Sequence, residues 1–180
     1  NTIEKELRSL EKAALQSQMN PHFIFNSLNS IQNFIMGNDK LAAMDYLSRF
    51  AKLIRLTLNA SSEETISLHD EIQMLNHYLS LEKLRFKSKF DFIVDVDMDL
   101  HVHDTQIPPM LIQPLVENAI KHGMKDRSEG GKIEVLFARK NDKVVVTVRD
   151  NGTGFSEYDS NSLHKSMGMD ITQKRLGYED

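Results

Sequence analysis

The chain contains no cysteine among its 180 residues. Disulfide frameworks, thiolate metal sites and cysteine nucleophiles are therefore excluded, and a reducing compartment such as the cytoplasm fits the composition. No apolar run approaches the roughly 18 residues that a membrane-spanning helix requires. The formal net charge is −4, and lysine and arginine are scattered rather than arranged in a stripe, which argues against nucleic acid as a partner.

No signal peptide is recognisable at the start of the chain, and the first residue is Asn1 rather than methionine. We therefore expect an excised fragment whose upstream part is missing. A chain of 180 residues is long enough for one large domain or for two small ones. The order of helical and strand patterns along the chain decides its class.

Apolar residues recur at helical steps throughout the first half of the chain, and the connections between these stretches are short. An N-terminal seam, which fits a coiled coil and an ordinary amphipathic helix equally well, consists of Ile3, Leu7, Leu10 and Ala14. Asn20 and Pro21 suit the cap and the first position of the next helix, although a proline kink within one continuous helix is the alternative. The pattern predicts an antiparallel bundle, with further helices over 39–59 and 68–86.

The pattern changes at Phe90, where "FDFIVDVDM" alternates apolar and polar residues as a half-buried strand does. A helix is expected over "MLIQPLVENAIKHG", with Gly123 as the residue that ends it. The strands "KIEVLFAR" and "KVVVTVRD" follow, joined by a hairpin turn at Lys140-Asn141-Asp142. We therefore predict an α+β protein, with a helical bundle over 1–88 and an α/β sandwich, a mixed sheet with helices on one face, over 89–180.

Three polar residues on the helix before Gly123 carry the first candidate chemistry. Asn118, Lys121 and His122 stand three and four positions apart and therefore share a helix face. An amide oxygen, an ammonium group and an imidazole suit a metal-bound polyphosphate, because Mg²⁺ prefers hard oxygen ligands and cations meet phosphate oxygens. A polar helix end, with its cations favoured by the helix dipole, is the ordinary alternative and is preferred when this motif is taken alone.

Two further motifs indicate a nucleotide site only when they are combined with Asn118, Lys121 and His122. Asp150 follows a strand directly and can accept a hydrogen bond from an amino group such as that of adenine, while Gly152 and Gly154 let the backbone approach a ligand. Gly168 precedes the last predicted helix, over 169–176, whose N-terminus is a plausible phosphate site. Each of these motifs alone also fits an ordinary turn.

The chain carries three motifs in order: an Asn-containing helix, DxGxG after a strand, and a glycine at the entry to a helix. This order resembles the ATPase superfamily of gyrase, MutL, the heat-shock chaperones and histidine kinases. The nucleotide-binding architecture of that superfamily is the Bergerat fold. The stretch "LQSQMNPHFIFNSLNSI" upstream of "LIQPLVENAIKHG" narrows the resemblance to the LytS-type sensor histidine kinases. The resemblance extends over residues 15–176, and NPHFIFN is its most specific element. Phe23 and Phe25 are expected to point into the bundle core while His22 faces outward.

The resemblance implies a role for each motif. His22 would be the phosphoacceptor, and Asn26, four residues later on the same helical face, would serve in dephosphorylation. Asn118 would ligate Mg²⁺, while Lys121 and His122 would contact phosphate or ribose. The remaining ATP site would consist of Asp150, Gly152 and Gly154 at the base, Gly168 beside the phosphates, and the loop over 156–166 as a lid.

The implied function is that of a sensor histidine kinase in a two-component system, an ATP-dependent enzyme. It would autophosphorylate His22 from Mg-ATP and pass the phosphate to an aspartate of a response regulator, as a homodimer. The chain would be the cytoplasmic portion of an inner-membrane protein, tied to the membrane only through a missing N-terminal region. The alternatives are a degenerate nucleotide-binding regulatory module without phosphotransfer and a purely structural helical scaffold.

Three departures from the family pattern bear on these expectations. Phe23 stands where many histidine kinases carry an acidic residue, and Glu117 is expected to turn away from the face of Asn118, so the general base stays unassigned. Ser166 replaces the first glycine of the glycine motif. The sequence ends at Asp180, before the strands that normally complete this sheet, so an incomplete sheet with an exposed edge is expected.

Other polar residues are assigned ordinary roles. His101, His103 and Asp104 alternate as metal ligands can, but without further ligands nearby an exposed loop or strand end is preferred. Helix-surface positions are expected for His69 and His77. Arg85 is expected in a salt bridge or near the helix dipole, and a link between the bundle and the ATP-binding region is the alternative.

Overall fold

The computed structural model describes residues 21–124, 129–141 and 143–152. Several predicted features lie outside these residues, so the predictions made for them stay predictions. They are the N-terminal seam, the Asn20 cap, Gly154, the lid loop, Ser166, Gly168 and the last helix.

Three helices form the first half of the described chain, as the apolar periodicity predicts. They are α1 Pro21–Met36, α2 Lys40–Ala60 and α3 Leu68–Arg85. Asp39 caps α2 by accepting a hydrogen bond from the Ala42 amide at 3.0 Å, and Ser67 caps α3 by accepting one from the Asp70 amide at 3.1 Å. These caps and the short turns before them bring the helices together as neighbours.

Aromatic side chains pack the three helices against one another. Phe23 is 6% exposed, and its ring centroid lies 5.1 Å from that of Tyr78 on α3 and 6.1 Å from that of Phe50 on α2. Phe25 is 66% exposed, so the prediction that both phenylalanines point into the core is wrong for Phe25. The reason is helical phase, because residues two positions apart project about 200° apart around an α-helix.

A mixed three-stranded sheet dominates the second half of the described chain. Its strands are β2 Phe90–Val96, β4 Gly131–Lys140 and β5 Lys143–Asp150, and two short strands outside it are β1 Ile66–Ser67 and β3 Gln106–Ile107. The main sheet has the order β2-β4-β5, in which β2 and β4 are parallel and β4 and β5 form an antiparallel hairpin. Asn141 has a φ of 56° in the turn between β4 and β5, as the hairpin prediction requires. The short strands β1 and β3 pair with each other in a second sheet.

One apolar core connects the helices to the sheet. The inner face of β4 contributes Ile133, Val135 and Phe137, each at most 2% exposed. These side chains belong to the same cluster of buried residues as Phe23 on α1 and Val116, which lies between β3 and β4 in the chain. The predicted α+β class, with helices first and a mixed sheet after them, is therefore confirmed.

A short helix and a wider turn carry the polar motif before Gly123. The helix α4 spans Gln113–Asn118 and continues directly into a π-helical turn over Ala119–Gly123. The helical turn ends at Gly123, as predicted, although Gly123 is not among the residues with positive φ. Close packing explains this glycine instead, since a Cβ atom there would lie 2.5 Å from Oδ1 of Asp150.

The buried carboxylate of Glu71 anchors the segment that leads into α4. Glu71 is 2% exposed, and its oxygens accept hydrogen bonds from the amides of Met110 at 2.8 Å and Ile112 at 3.1 Å. Met110 has a φ of 57°, a conformation that is costly for a residue other than glycine. Glu71 therefore connects α3 to the start of α4, which has no side-chain cap at Ile112.

Replacing Glu71 with alanine is expected to lower the free energy of unfolding by about 3 kcal/mol, because two amides lose a charged and buried acceptor. Urea denaturation measures this change as a lower midpoint. Glu63→Ala is the matched control, since Glu63 is exposed and its loss should change the unfolding free energy by less than about 0.5 kcal/mol. Equal midpoints for Glu71→Ala and the parent chain would show that Glu71 does not anchor this segment.

Candidate functional site

His22 lies in the first turn of α1 with its side chain exposed, while the neighbouring Phe23 is buried. The amide nitrogen of Asn26, one helical turn later, lies 3.1 Å from Nδ1 of His22. Because Nδ1 faces its own helix, Nε2 on the other edge of the ring is directed away from this contact. His22 is therefore on the surface and shares a helix face with Asn26, as the spacing predicts.

A cleft of about 630 Å³ lies where α1, α3 and α4 meet. It brings His22 and Asn26 together with Asn118 and Lys121, which are distant from them in sequence. Its walls also contain Tyr78, Glu82, Arg85, Phe86 and Glu117. Two of the motifs that the sequence singles out thus meet in one concave site.

Glu117 faces this cleft, so the prediction that it turns away from Asn118 is wrong. Its Oε1 accepts a hydrogen bond from Nε2 of Gln113 at 3.0 Å, one turn earlier on α4. His122 is exposed and does not belong to the cleft wall. The helix face that meets the cleft is therefore rotated by one residue from the predicted face, since it presents Glu117, Asn118 and Lys121.

The turn after β5 packs directly against the π-helical turn. Oδ1 of Asp150 accepts a hydrogen bond from the Gly152 amide at 2.9 Å. A Cβ atom on Gly152 would lie 2.7 Å from the carbonyl oxygen of Gly123, and one on Gly123 would meet the Asp150 carboxylate. Both glycines are therefore required for this close approach, which holds Asp150 beside the segment that follows Asn118.

Asn151, which sequence reasoning treats only as part of a turn, fixes the other side of the same turn. Its Oδ1 accepts a hydrogen bond from the Lys132 amide at 2.7 Å, and its Nδ2 donates one to the carbonyl oxygen of Gly130 at 3.0 Å. The end of β5 is thereby tied to the start of β4. The backbone around Asp150 is thus held from both sides.

Arg85 and Glu82 form a two-point ion pair in the cleft wall. Nε and Nη2 of Arg85 donate to the Glu82 carboxylate at 2.9 and 2.5 Å, and the guanidinium lies 4.2 Å from the centroid of the Phe86 ring. Burial alone would lower the pKa of Arg85, but the hydrogen bonds and charge of Glu82 outweigh burial and raise the pKa. Arg85 is therefore a fixed cation at the cleft. The salt bridge expected for Arg85 is confirmed, whereas its position in the cleft wall could not be predicted, because an Arg three residues after a Glu also fits an ordinary helix surface.

Tyr78 forms an apolar wall of the cleft and packs on Phe23, the residue after His22. Burial raises the pKa of Tyr78 well above its usual range, and the negative charges of Glu82 and Glu117 raise it further. Tyr78 is 3% exposed and stays neutral at physiological pH. Its role here is to support the first turn of α1 through packing.

The histidines outside the cleft have ordinary environments. The ring of His103 packs against that of His69 at an interplanar angle of 32°, with centroids 4.3 Å apart. Burial lowers the pKa of His77, and the positive charges of Lys52 and Arg49 lower it further. Within the part of the chain that the structure describes, no group of three or more His, Cys, Asp or Glu side chains could hold a metal ion.

The first two helices expose a broad apolar surface. Its members, each at least 47% exposed, are Phe25, Leu28, Ile35, Met36, Leu41, Met44 and Leu47. On α2 the exposed Leu41, Met44 and Leu47 recur at steps of three, so this helix presents an apolar face. Over 21–124, 129–141 and 143–152, none of the helices combines the length and apolar character needed to cross a bilayer.

Two family models match this chain. One is described as histidine kinase and matches residues 10–90, and the other is described as histidine kinase-, DNA gyrase B-, and HSP90-like ATPase and matches residues 104–178. Together they account for both the region of His22 and the region of Asn118 and Asp150.

Curated proteins and solved structures are similar over most of the chain. The sensor protein LytS of Staphylococcus haemolyticus is 38% identical over 153 residues, which are 85% of this chain and 26% of that protein. The sensor histidine kinase/phosphatase LytS of Staphylococcus aureus is 36% identical over 157 residues, which are 87% of this chain and 26% of that protein. The chain thus spans about a quarter of the length of these relatives. The histidine kinase domain of a blue-light activated histidine kinase from Erythrobacter litoralis has a TM-score of 0.49 at 14% identity, covering 88% of this chain and 85% of that chain.

Proposed function

This chain belongs to the histidine kinase family, and we propose that it transfers the γ-phosphoryl group of ATP to His22. The observation that carries the proposal is that one cleft joins His22 to Asn118 and Lys121, which lie in the segments matched by the two different family models. A neutral imidazole is a competent nucleophile at cytoplasmic pH. Phosphoryl transfer otherwise requires positioning and neutralisation of charge, which amide and ammonium groups can supply.

We retain the predicted division into a helical dimerisation and phosphoacceptor region over 1–88 and an ATP-binding region over 89–180. The first family model ends at residue 90 and the second begins at residue 104, which supports a boundary near this point. The connection between α3 and β2 contains two consecutive residues with left-handed backbone, Lys87 and Ser88. Such a connection ends the helix sharply before the sheet begins.

The polar side of the cleft is proposed to hold the phosphates of ATP. Asn118 would ligate Mg²⁺ through its amide oxygen, Lys121 would contact phosphate, and Glu117 offers a second hard oxygen in the same cleft. One or two protein oxygens plus nucleotide phosphates are the usual environment of Mg²⁺, so these side chains fit the ion. When bound, the ion would neutralise charge on the β- and γ-phosphates. His122, which is exposed outside the cleft wall, is proposed to contact ribose or phosphate.

The base of the nucleotide is proposed to lie against the turn after β5. Asp150 would accept from the adenine amine, and its carboxylate is oriented by the Gly152 amide that donates to Oδ1. The packing of Gly152 against Gly123 supports a backbone floor at this point. The roles of Gly154 in the base pocket and Gly168 beside the phosphates stay predictions of the resemblance.

The proposed step forms a bond from an imidazole nitrogen of His22 to the γ-phosphorus while the bond from that phosphorus to the β,γ-bridging oxygen breaks. The electron pair of the broken bond leaves with ADP, and the N–H proton of the imidazole passes to water. Nε2 is the proposed nucleophile, because Nδ1 is engaged by Asn26. The packing of Phe23 on Tyr78 holds the helix turn that presents this ring.

Asn26 is proposed to decide which imidazole nitrogen carries the proton. With its amide nitrogen toward Nδ1, the proton of neutral His22 lies on Nε2, which then cannot attack. If the side-chain amide of Asn26 rotates by about 180°, its oxygen faces Nδ1 and accepts a hydrogen bond from it. The proton then lies on Nδ1, and Nε2 becomes nucleophilic. The dephosphorylation role predicted for Asn26 stays a prediction.

Asn26→Leu is expected to slow labelling of His22 at saturating Mg-ATP by about 10-fold, because the acceptor for the Nδ1 proton is lost. Asn26→Asp, which can only accept at this position, should label at least as fast as the parent chain. Initial rates measure both effects, and ¹⁵N shifts of the His22 ring report the tautomer without any reaction. Asn29→Leu, an exposed asparagine on the same helix, is the control. Parental rate and tautomer ratio in Asn26→Leu would contradict this role.

We also propose a homodimer that passes its phosphate to an aspartate of a response regulator. The apolar surface on α1 and α2 supports a dimer interface, because such a surface is unfavourable in contact with water. The match to the histidine kinase family model supports a response regulator as the partner. The location of the chain in the cytoplasm, attached to an inner membrane through other parts of the protein, stays a prediction of the resemblance.

Incubating the chain with Mg²⁺ and ATP labelled in the γ-phosphate tests the proposal. We expect label on the protein that survives base and is lost in acid, as a phosphorus–nitrogen bond on histidine is. ATP labelled in the α-phosphate is the control and should leave no label. Nucleotide binding without label would contradict transfer to His22. It would favour the degenerate nucleotide-binding module, which Phe23 in the place of the usual acid supports.

A further inference from the structure

The guanidinium of Arg85 is held in one orientation at the wall of the cleft. Glu82, which is 2% exposed, binds Nε and Nη2 of Arg85, and the guanidinium stacks on the Phe86 ring. Removing a carboxylate and a guanidinium from water costs free energy that their mutual attraction often only balances. Stability alone therefore does not explain the pair. The ion pair and the stacking instead fix the orientation of the planar guanidinium of Arg85.

The place of this cation relative to the reacting groups is the second observation. Arg85 lines the same cleft as His22 and Asn118. Among the described side chains of the cleft wall, Lys121 is the other permanent cation, and it lies in the turn after α4. Arg85 instead lies on α3, which packs against α1 through Tyr78. One cation thus accompanies the proposed phosphate-binding helix, and the other accompanies the proposed phosphoacceptor.

The hydrogen-bond donors of Arg85 match the needs of phosphoryl transfer. A guanidinium has five N–H groups. Two of them donate to Glu82, and the others make no hydrogen bond to the residues that the structure describes. During transfer, negative charge is spread over the peripheral oxygens of the moving phosphoryl group, and a fixed arginine stabilises that charge strongly.

We propose that Arg85 is a catalytic residue that donates to an oxygen of the γ-phosphoryl group while this group moves from ADP to His22. The inference rests on the proposed function of the cleft. The bond from nitrogen to phosphorus forms, the bond from phosphorus to the bridging oxygen breaks, and its electron pair leaves with ADP. Arg85 keeps all of its protons throughout, and Glu82 keeps the guanidinium aimed at the cleft.

Arg85→Ala is expected to slow labelling of His22 at saturating Mg-ATP by about 100-fold or more, as the loss of one donor to developing charge does in other enzymes. Its affinity for Mg-ADP, which lacks the γ-phosphoryl group, should stay within about threefold of the parent value. Arg49→Ala is the matched control, because Arg49 forms a 2.9 Å ion pair with Asp45 on its own helix and does not line the cleft. It should label at the parental rate.

Arg85→Lys separates a catalytic defect from a folding defect. Lysine keeps a positive charge beside the buried Glu82, so this variant should stay folded, with a melting temperature closer to the parental value than that of Arg85→Ala. It lacks the planar fork of arginine and should label at least about 10-fold more slowly than the parent. Folded Arg85→Lys and Arg85→Ala that both label at the parental rate would overturn the inference and leave the proposed function intact.

If the parent chain takes up no label, the proposed transfer to His22 is contradicted. A second measurement then tests whether Arg85 contacts the γ-phosphoryl group. Calorimetry gives the affinities of the parent chain and of Arg85→Ala for Mg-ADP and for a non-hydrolysable ATP analogue with Mg²⁺. If Arg85 meets the γ-phosphoryl group, Arg85→Ala loses the preference of the parent for the triphosphate. An unchanged ratio of the two affinities in such a chain would overturn the inference as well.

Discussion

Replacing His22 with glutamine is expected to abolish the acid-labile, base-stable label that Mg-ATP leaves on this chain. Glutamine is similar in size, but its amide nitrogen is not nucleophilic, so no bond to phosphorus forms. Because His22 is exposed, the substitution should change the free energy of unfolding by less than about 0.5 kcal/mol. The measurement is the amount of label on folded protein after prolonged incubation with ATP labelled in the γ-phosphate.

Two comparisons make this result specific to the imidazole of His22. His101→Gln changes an exposed histidine between β2 and β3 and should label like the parent. His22→Gln itself should bind Mg-ADP with parental affinity, since the proposed phosphate ligands lie on α4 and the turn after it. Undiminished label on His22→Gln would show that another residue is the phosphoacceptor.

The helical half of the fold could be predicted because its signals are local. Apolar steps and polar breaks place α2 and α3 within one residue of their observed ends, Lys40–Ala60 and Leu68–Arg85. The error at Phe25 has the same origin, since two neighbouring aromatic residues look alike in composition while helical phase buries only Phe23. Periodicity therefore predicts the elements well, but the orientation of a single side chain depends on which partner helix it meets.

Some residues of the candidate site could be predicted from the sequence, but which side chains face the cleft could not. Asn118 and Lys121 carry recognisable chemistry, and the cleft does contain both. In an α-helix, Glu117 and Lys121 share a face through the same spacing as Asn118 and His122, so the sequence alone does not decide which of these two faces meets the cleft. The sequence therefore does not predict Glu117 in the cleft wall, and it predicts His122, which lies outside that wall.

The remaining site residues depend on contacts between segments far apart in sequence. In the sequence, Glu71 looks like an ordinary helix residue. Only the structure shows that its carboxylate accepts hydrogen bonds from the amides of Met110 and Ile112. Arg85 likewise looks like a helix-end cation in the sequence, and only the structure shows that it lines the same cleft as His22. Burial of a charge is a property of the assembled fold, so only the structure separates these two residues from their exposed counterparts.

Asn118→Ala is expected to lower the affinity for Mg-ATP by roughly 100-fold, because the side chain that is proposed to hold Mg²⁺ would be removed. Asn118 lines the cleft from the end of α4, and alanine is a good helix former, so the helix itself should persist. Calorimetry with ATP in the presence and absence of Mg²⁺ measures the effect.

The dependence of ATP affinity on Mg²⁺ distinguishes the loss of a metal ligand from a general weakening of the nucleotide site. Removing Mg²⁺ with a chelator should lower the affinity of the parent chain to that of Asn118→Ala, whereas the variant itself should respond little. Asn33→Ala, an exposed asparagine on α1, should keep the full response of the parent. If Asn118→Ala loses as much affinity on chelation as the parent does, the ion is held by other groups. Glu117, the other hard oxygen of this wall, would then be the residue to replace next.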